Sequence, residues 1–103
     1  GAGLQLKDRD GTWIPVETEA GKLIVDSGDM MARLTNGVIG ATTHRVVNPE
    51  GPNESRYSMP FFLHPHSDMS LAALPACRDH RTPDPEITAG DFLSERLREI
   101  GLA

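Results

Sequence analysis

The sequence predicts a turn-rich, mainly β domain with a short helical turn in its middle and one α-helix at its C-terminal end. Three observations carry that prediction. Short apolar stretches alternate with polar residues through the first half of the chain. The chain is heavily punctuated, with 10 glycines and 8 prolines in 103 residues, which breaks it into short elements. A full helix-start signal lies near the end, at Thr88. A domain of this length buries only a limited core, and a hydrophobic content of 38% is a little below the globular norm.

The elements follow in order. Leu4 to Lys7 alternates apolar and polar residues, Asp10-Gly11 marks a hairpin turn, and Thr12 to Val16 returns as the second strand. Leu23, Ile24 and Val25 form a compact buried-strand candidate, ended by Ser27, Gly28 and Asp29. Asp29 is placed to cap a helical turn through Met30, Met31 and Leu34, which Asn36-Gly37 then stops. Val38 to Val47 is the next strand, followed by a loop with Pro49, Gly51 and Pro52. Arg56 to Leu63 is the last strand, and Pro60 within it implies an edge or a bulge. From His64 onward, Pro65, Pro75, Pro83 and Pro85 space out a surface wrap of short elements. The wrap ends in a helix: Thr88 as N-cap, Asp91 three residues on and an Ile87/Phe92 pair give a capping box with its staple. Leu93, Leu97 and Ile100 form the expected buried stripe, and Gly101 the stop.

Bulk properties exclude several function classes. A net charge of −5 and a pI near 5.2, without a Lys/Arg cluster, argue against nucleic acid. No apolar run approaches the roughly 20 residues needed to cross a bilayer, so no membrane partner is expected. The first residues do not resemble a signal peptide. Cys77 is the single cysteine, which excludes an internal disulfide and makes a reducing cytoplasm the default.

Side-chain direction suggests a site. Successive strand residues point to opposite faces, so Thr42, His44 and Val46 share one face while Thr43, Arg45 and Val47 share the other. In the last strand, Arg56, Ser58 and Phe62 share a face. If these two sets face each other, an imidazole, a guanidinium, a hydroxyl and a ring line one mostly apolar pocket, as small-molecule sites require. A neutral imidazole is a good iron ligand. The planar fork of arginine matches a carboxylate bidentately, and a hydroxyl two residues away adds a further hydrogen bond. Taken alone, the same residues also suit ordinary structural roles.

Read together, Gly28-Asp29, Leu34 to Gly37, His44-Arg45-Val46, Arg56-Tyr57-Ser58 and Pro60 to Phe62 resemble, in this order, the C-terminal half of the isopenicillin N synthase-like 2-oxoglutarate/iron(II) oxygenases. Gly3 to Leu6 and Gly11 to Val16 are similar to the strand pair just before that region, and Pro85 to Gly90 to the ending of the family's bacterial members. The resemblance runs along nearly the whole chain. It implies half of a double-stranded β-helix, or jelly roll, over residues 1–64, with 65–103 as the Pro-rich wrap and C-terminal helix of the same domain. His44 would be the distal iron(II) ligand. Arg56 and Ser58 would hold the remote carboxylate of 2-oxoglutarate, and Val46 and Phe62 would line the cosubstrate and substrate pocket.

The implied activity is that of a dioxygenase. It oxidises a small-molecule substrate with dioxygen, by hydroxylation, desaturation or ring closure, while 2-oxoglutarate is decarboxylated to succinate. Use of 2-oxoglutarate is expected from the bacterial-style ending, although Arg-x-Ser is shared with members that dispense with it. The family's other two ligands come as His-x-Asp on an earlier strand, expected shortly before Gly1. The implied catalytic protein is therefore longer, with its N-terminal half as the partner of this chain, and the chain alone is expected to be inactive. His66-Ser67-Asp68 mimics the missing triplet but lies after His44, and completing the site with it would need a permuted topology. The alternatives are a non-catalytic carboxylate-binding β module using Arg56 and Ser58, and a structural β domain in which His44 and Arg56 are satisfied polar residues.

Overall fold

The computed structural model describes residues 3–102; Gly1, Ala2 and Ala103, the ends of the two expected segments, lie outside the described residues. The chain divides into two compact units. One comprises Gly1–Asp26 with Thr42–Pro60, the other Ser27–Ala41 with Phe61–Ala103.

The first unit is built on the expected hairpin. Strand β1 (Leu4–Lys7) pairs antiparallel with β2 (Trp13–Pro15) in the register Lys7 to Trp13 and Gln5 to Pro15. The turn closes because the Asp8 amide donates to the Thr12 carbonyl at 2.7 Å and the Asp10 carboxylate accepts from the Thr12 amide at 2.9 Å. That backbone hydrogen bond holds the Asp10 carboxyl below its usual range. Gly11, at φ 89°, takes a left-handed conformation that costs other residues strain. Strand β3 (His44–Val46) joins the other edge of β1, with His44 opposite Leu6 and Val46 opposite Leu4. The sheet order is β2-β1-β3. Arg45, on the face opposite His44, ties the three strands together. Its guanidinium lies 3.9 Å from the centre of the Trp13 ring and its Nε donates to Gln5 Oε1 at 2.8 Å.

Three expected strands are shorter or absent among the described residues. Of Val38 to Val47, three residues pair, because β1 offers a partner only over that length. Leu23 to Val25 and Arg56 to Leu63 carry no ladder, and their apolar side chains are bare. Leu23 and Val25 are 91% and 92% exposed, and Tyr57, Met59, Phe61 and Leu63 between 85% and 97%. A strand exists only where a neighbour accepts its hydrogen bonds, and neither segment joins a ladder among the described residues.

In the second unit, helix α1 (Asp29–Leu34) starts from an extended Gly28 with no side-chain cap. Asp29 is thus a first-turn charge at the helix dipole rather than the cap expected. The stop is as read: Asn36 at φ 50° and Gly37 at φ 83° turn the chain out of the helix, and the Gly37 amide donates to the Ala32 carbonyl at 2.8 Å. Asn36 is almost fully buried and acts as a hub. Its amide donates to the Cys77 and Arg81 carbonyls at 2.9 and 3.0 Å, while its own carbonyl accepts from His80 Nε2 at 2.6 Å and Arg81 Nε at 3.1 Å. A 3-10 turn at Pro75–Cys77 lies within the segment so fastened.

Helix α2 (Ala89–Glu99) begins where expected, with Thr88 Oγ1 accepting from the Asp91 amide at 3.2 Å. Its buried residues are Ala89 and Phe92, whereas Leu93 and Leu97 are half-buried and Ile100 is 67% exposed. The stripe is set by what faces it. Leu71, Ala89 and Phe92 form the core, with Met30 and Ile87 packed against it. The segment expected as a surface wrap thus supplies Leu71 and Ala73 to the interior. It is drawn in because Leu71 donates to the Ile87 carbonyl and Ala89 to the Met69 carbonyl, both at 2.8 Å, around the bridge between Ser70 and Thr88.

Candidate functional site

Strand β3 carries His44 and Val46 on one face and Arg45 on the other, as the pleat requires. The His44 side chain is half-exposed. Its Nδ1 lies 3.0 Å from the Thr42 carbonyl and 3.4 Å from Asp26 Oδ2. A carbonyl oxygen can only accept, so Nδ1 carries a proton, and in the neutral ring the lone pair then resides on Nε2. That is the tautomer in which an imidazole can bind a metal through Nε2 while its other nitrogen is held from behind. Asp26, which the sequence reading passed over, has no motif around it; its place beside His44 arises from the tertiary fold.

Arg56 and Ser58 belong to the same unit as His44 and are exposed. The Arg56 guanidinium packs close to the Gly3 backbone. A Cβ built at Gly3 would run into the Val47 carbonyl oxygen and come within 3.2 Å of Arg56 Nη1. Gly3, at φ 119°, also sits where side chains are strained. Gly3→Ala is therefore expected to cost about 1–3 kcal/mol and to displace Arg56. Thermal unfolding reads the first effect; unchanged stability would mean that the β1 end tolerates a side chain.

Val46 is 71% exposed and Phe62 76%. Phe62 belongs to the second unit and stacks on His64, with ring centroids 6.3 Å apart and planes within 3°. His66 and Asp68 form an exposed local turn, with Nδ1 and Oδ2 3.8 Å apart and the Asp68 amide donating to His66 Nδ1 at 3.3 Å. His80 is the loop residue expected, committed to Asn36. Among the described residues no group of three or more His, Cys, Asp or Glu side chains could hold a metal ion. A concavity of about 580 Å³ in the first unit is lined by Gln5, Val16, Glu17, Val47 and Glu50 among others; none of the expected site residues borders it. No helix among the described residues is long and apolar enough to cross a membrane.

Comparison with known proteins identifies the family. The sequence pattern of the 2OG-Fe(II) oxygenase superfamily matches residues 1–65. Kihadalactone A synthase of Citrus sinensis is 34% identical over 85% of this chain, and a 2-oxoglutarate-Fe(II) type oxidoreductase of Metarhizium majus is 35% identical over 95%. Among solved structures, a 2OG-Fe(II) oxygenase family protein of Caulobacter crescentus superposes with a TM-score of 0.88 at 47% identity over 96% of the chain. A full-length Neurospora crassa protein in complex with alpha-KG superposes with a TM-score of 0.78 at 26% identity over 94%. The chain spans about a quarter of those two curated relatives, 26% of each, and 34% and 31% of the two solved chains.

Proposed function

Because this chain belongs to the 2OG-Fe(II) oxygenase superfamily, a family of iron- and 2-oxoglutarate-dependent dioxygenases with a jelly-roll fold, we propose that it is the C-terminal part of such an enzyme, acting on a small molecule. The observation that supports this most is the state of His44: on β3, with Nδ1 occupied by a carbonyl and Nε2 left as a nitrogen donor suited to iron(II). One nitrogen does not hold the metal. The remaining ligands of a two-histidine, one-carboxylate site would come as His-x-Asp from a longer polypeptide, whose N-terminal half would also pair the bare segments at Leu23–Val25 and Arg56–Leu63. Without them the chain is expected to be inactive. The lone cysteine fits residence in a reducing cytoplasm.

Within that enzyme each residue has a defined task. His44 Nε2 would hold iron, and the bound metal with 2-oxoglutarate supplies the activation of dioxygen. Arg56 would grip the remote carboxylate of 2-oxoglutarate with two parallel N–H donors, and Ser58 would add its hydroxyl. Val46, in the same unit as His44, would give apolar wall to the pocket and keep water from the reacting centre. The glycine at position 3 supports this assignment, since a side chain there would come within 3.2 Å of the Arg56 guanidinium and crowd it.

Arg56→Ala in the longer protein tests the reading. Each charge-assisted hydrogen bond contributes about 1.5–3 kcal/mol, so 2-oxoglutarate affinity should fall by an order of magnitude or more while iron affinity stays. Equal loss of both would mean that Arg56 supports the fold instead. Carboxylate binding indifferent to iron and to His44→Ala would favour the non-catalytic module.

A further inference from the structure

Resting on the reading of His44 as an iron ligand, we propose that Asp26 is its positioning residue: a carboxylate that holds the imidazole from behind so that Nε2 faces the metal. The geometry is specific to one nitrogen. Asp26 Oδ2 lies 3.4 Å from His44 Nδ1, on the same nitrogen that donates to the Thr42 carbonyl at 3.0 Å. The Thr42 carbonyl takes the Nδ1 hydrogen bond, and the Asp26 carboxylate places a negative charge beside the same nitrogen. Together they would keep a proton on Nδ1, restrain the ring against rotation, and increase electron density at Nε2.

Asp26 is not itself placed to bind the metal. The ring nitrogens point away from each other, so a carboxylate at Nδ1 cannot reach an ion on Nε2. Nor is the pair a simple flexible surface contact. Thr42 belongs to the segment leading into β3, two residues before His44, so its carbonyl restrains the ring from within the strand's own backbone. Asp26 approaches from a distant part of the sequence, with its side chain 38% exposed. It follows an apolar triplet that no ladder holds among the described residues, so its side chain reaches His44 from an otherwise unpaired segment. A carboxylate here, beside His44 Nδ1, couples the path of that segment to the orientation of the ring.

The test uses the full-length polypeptide that carries this chain, with cobalt(II) as the probe in place of iron. Asp26→Ala should weaken cobalt(II) binding by about 10–100-fold, the loss typical when a metal-binding histidine loses its outer partner. Asp26→Asn should recover most of that loss, because the carboxamide oxygen still accepts the Nδ1 proton. Nitrogen-15 spectra of the metal-free protein provide a second readout. The His44 ring should be held as the Nδ1–H tautomer in the parent and in Asp26→Asn, and should become a tautomer mixture in Asp26→Ala. Unchanged cobalt(II) affinity in Asp26→Ala, with loss in His44→Ala, would overturn the role of Asp26 alone. Equal damage from the alanine and asparagine variants would also overturn it, since an intact acceptor would then not matter. Unchanged affinity in His44→Ala would bring down the iron-ligand reading itself, a result distinct from the first two.

Discussion

For the oxygenase proposed above, His44→Ala in the longer polypeptide is expected to abolish iron(II)-dependent decarboxylation of 2-oxoglutarate and to lower metal affinity beyond the roughly 10–100-fold that loss of an outer partner costs. A directly bound nitrogen contributes more than the group that orients it. The fold should barely register the change. The imidazole is about half exposed, with 52% of its side-chain surface accessible; it makes a hydrogen bond to a local carbonyl and lies 3.4 Å from the Asp26 carboxylate. Such substitutions usually stay within about 0.5 kcal/mol. Metal titration and a melting curve on the same preparation separate the two effects. Intact metal affinity with a lowered melting temperature would make His44 a structural residue, and the chain a β domain without a metal role for this histidine.

The second large effect concerns stability. Phe92→Ala should destabilise the second unit by about 3–5 kcal/mol, a large share of the roughly 5–15 kcal/mol that holds a domain folded. Phe92 is 4% exposed and shares its cluster with Leu71, Ala89, Met30 and Ile87. Two guanidiniums also lie near its ring centre, Arg33 at 5.5 Å and Arg96 at 4.7 Å, and Arg96 is further held to Asp29 at 3.2 Å and Glu99 at 2.8 Å. The hydrogen bond to Glu99 raises the Arg96 pKa above its already high ordinary value, so that cation persists across the accessible pH range. Removing the ring leaves a cavity and deprives both arginines of their packing surface. Phe92→Leu keeps most of the volume and should recover much of the loss. Denaturant unfolding that shifts by less than about 1 kcal/mol would show that the core lies elsewhere.

What could be read in advance divides along a physical line. The hairpin at Asp10-Gly11, the stop at Asn36-Gly37 and the cap at Thr88 are signals whose whole mechanism lies within a few residues, and each is realised. The opposite faces of His44 and Arg45 follow from the pleat, which is equally local. Leu23 to Val25 and Arg56 to Leu63 read as strands on composition. Composition supplies no neighbouring strand, and neither segment joins a ladder among the described residues. The buried face of α2 differs from the expected stripe by one step of the helix for a related reason. Its apolar residues span more than one face, and Leu71, reached through the bridge at Ser70 and Thr88, selects Phe92 over Leu97 and Ile100.

The sequence by itself determined the family, through an ordered series of motifs from Gly28 to Phe62, and with it the candidacy of His44, Arg56 and Ser58. It also determined where the C-terminal helix begins. Only the tertiary structure decided that Asp26 stands behind His44, that Gly3 lies near Arg56, that Arg45 lies on Trp13, and that the proline-rich segment contributes Leu71 and Ala73 to the core. Each of these joins residues distant in sequence, and no local rule of spacing or propensity brings such residues together. Burial and pairing depend on which surfaces meet in space, and that is settled only when the chain has folded.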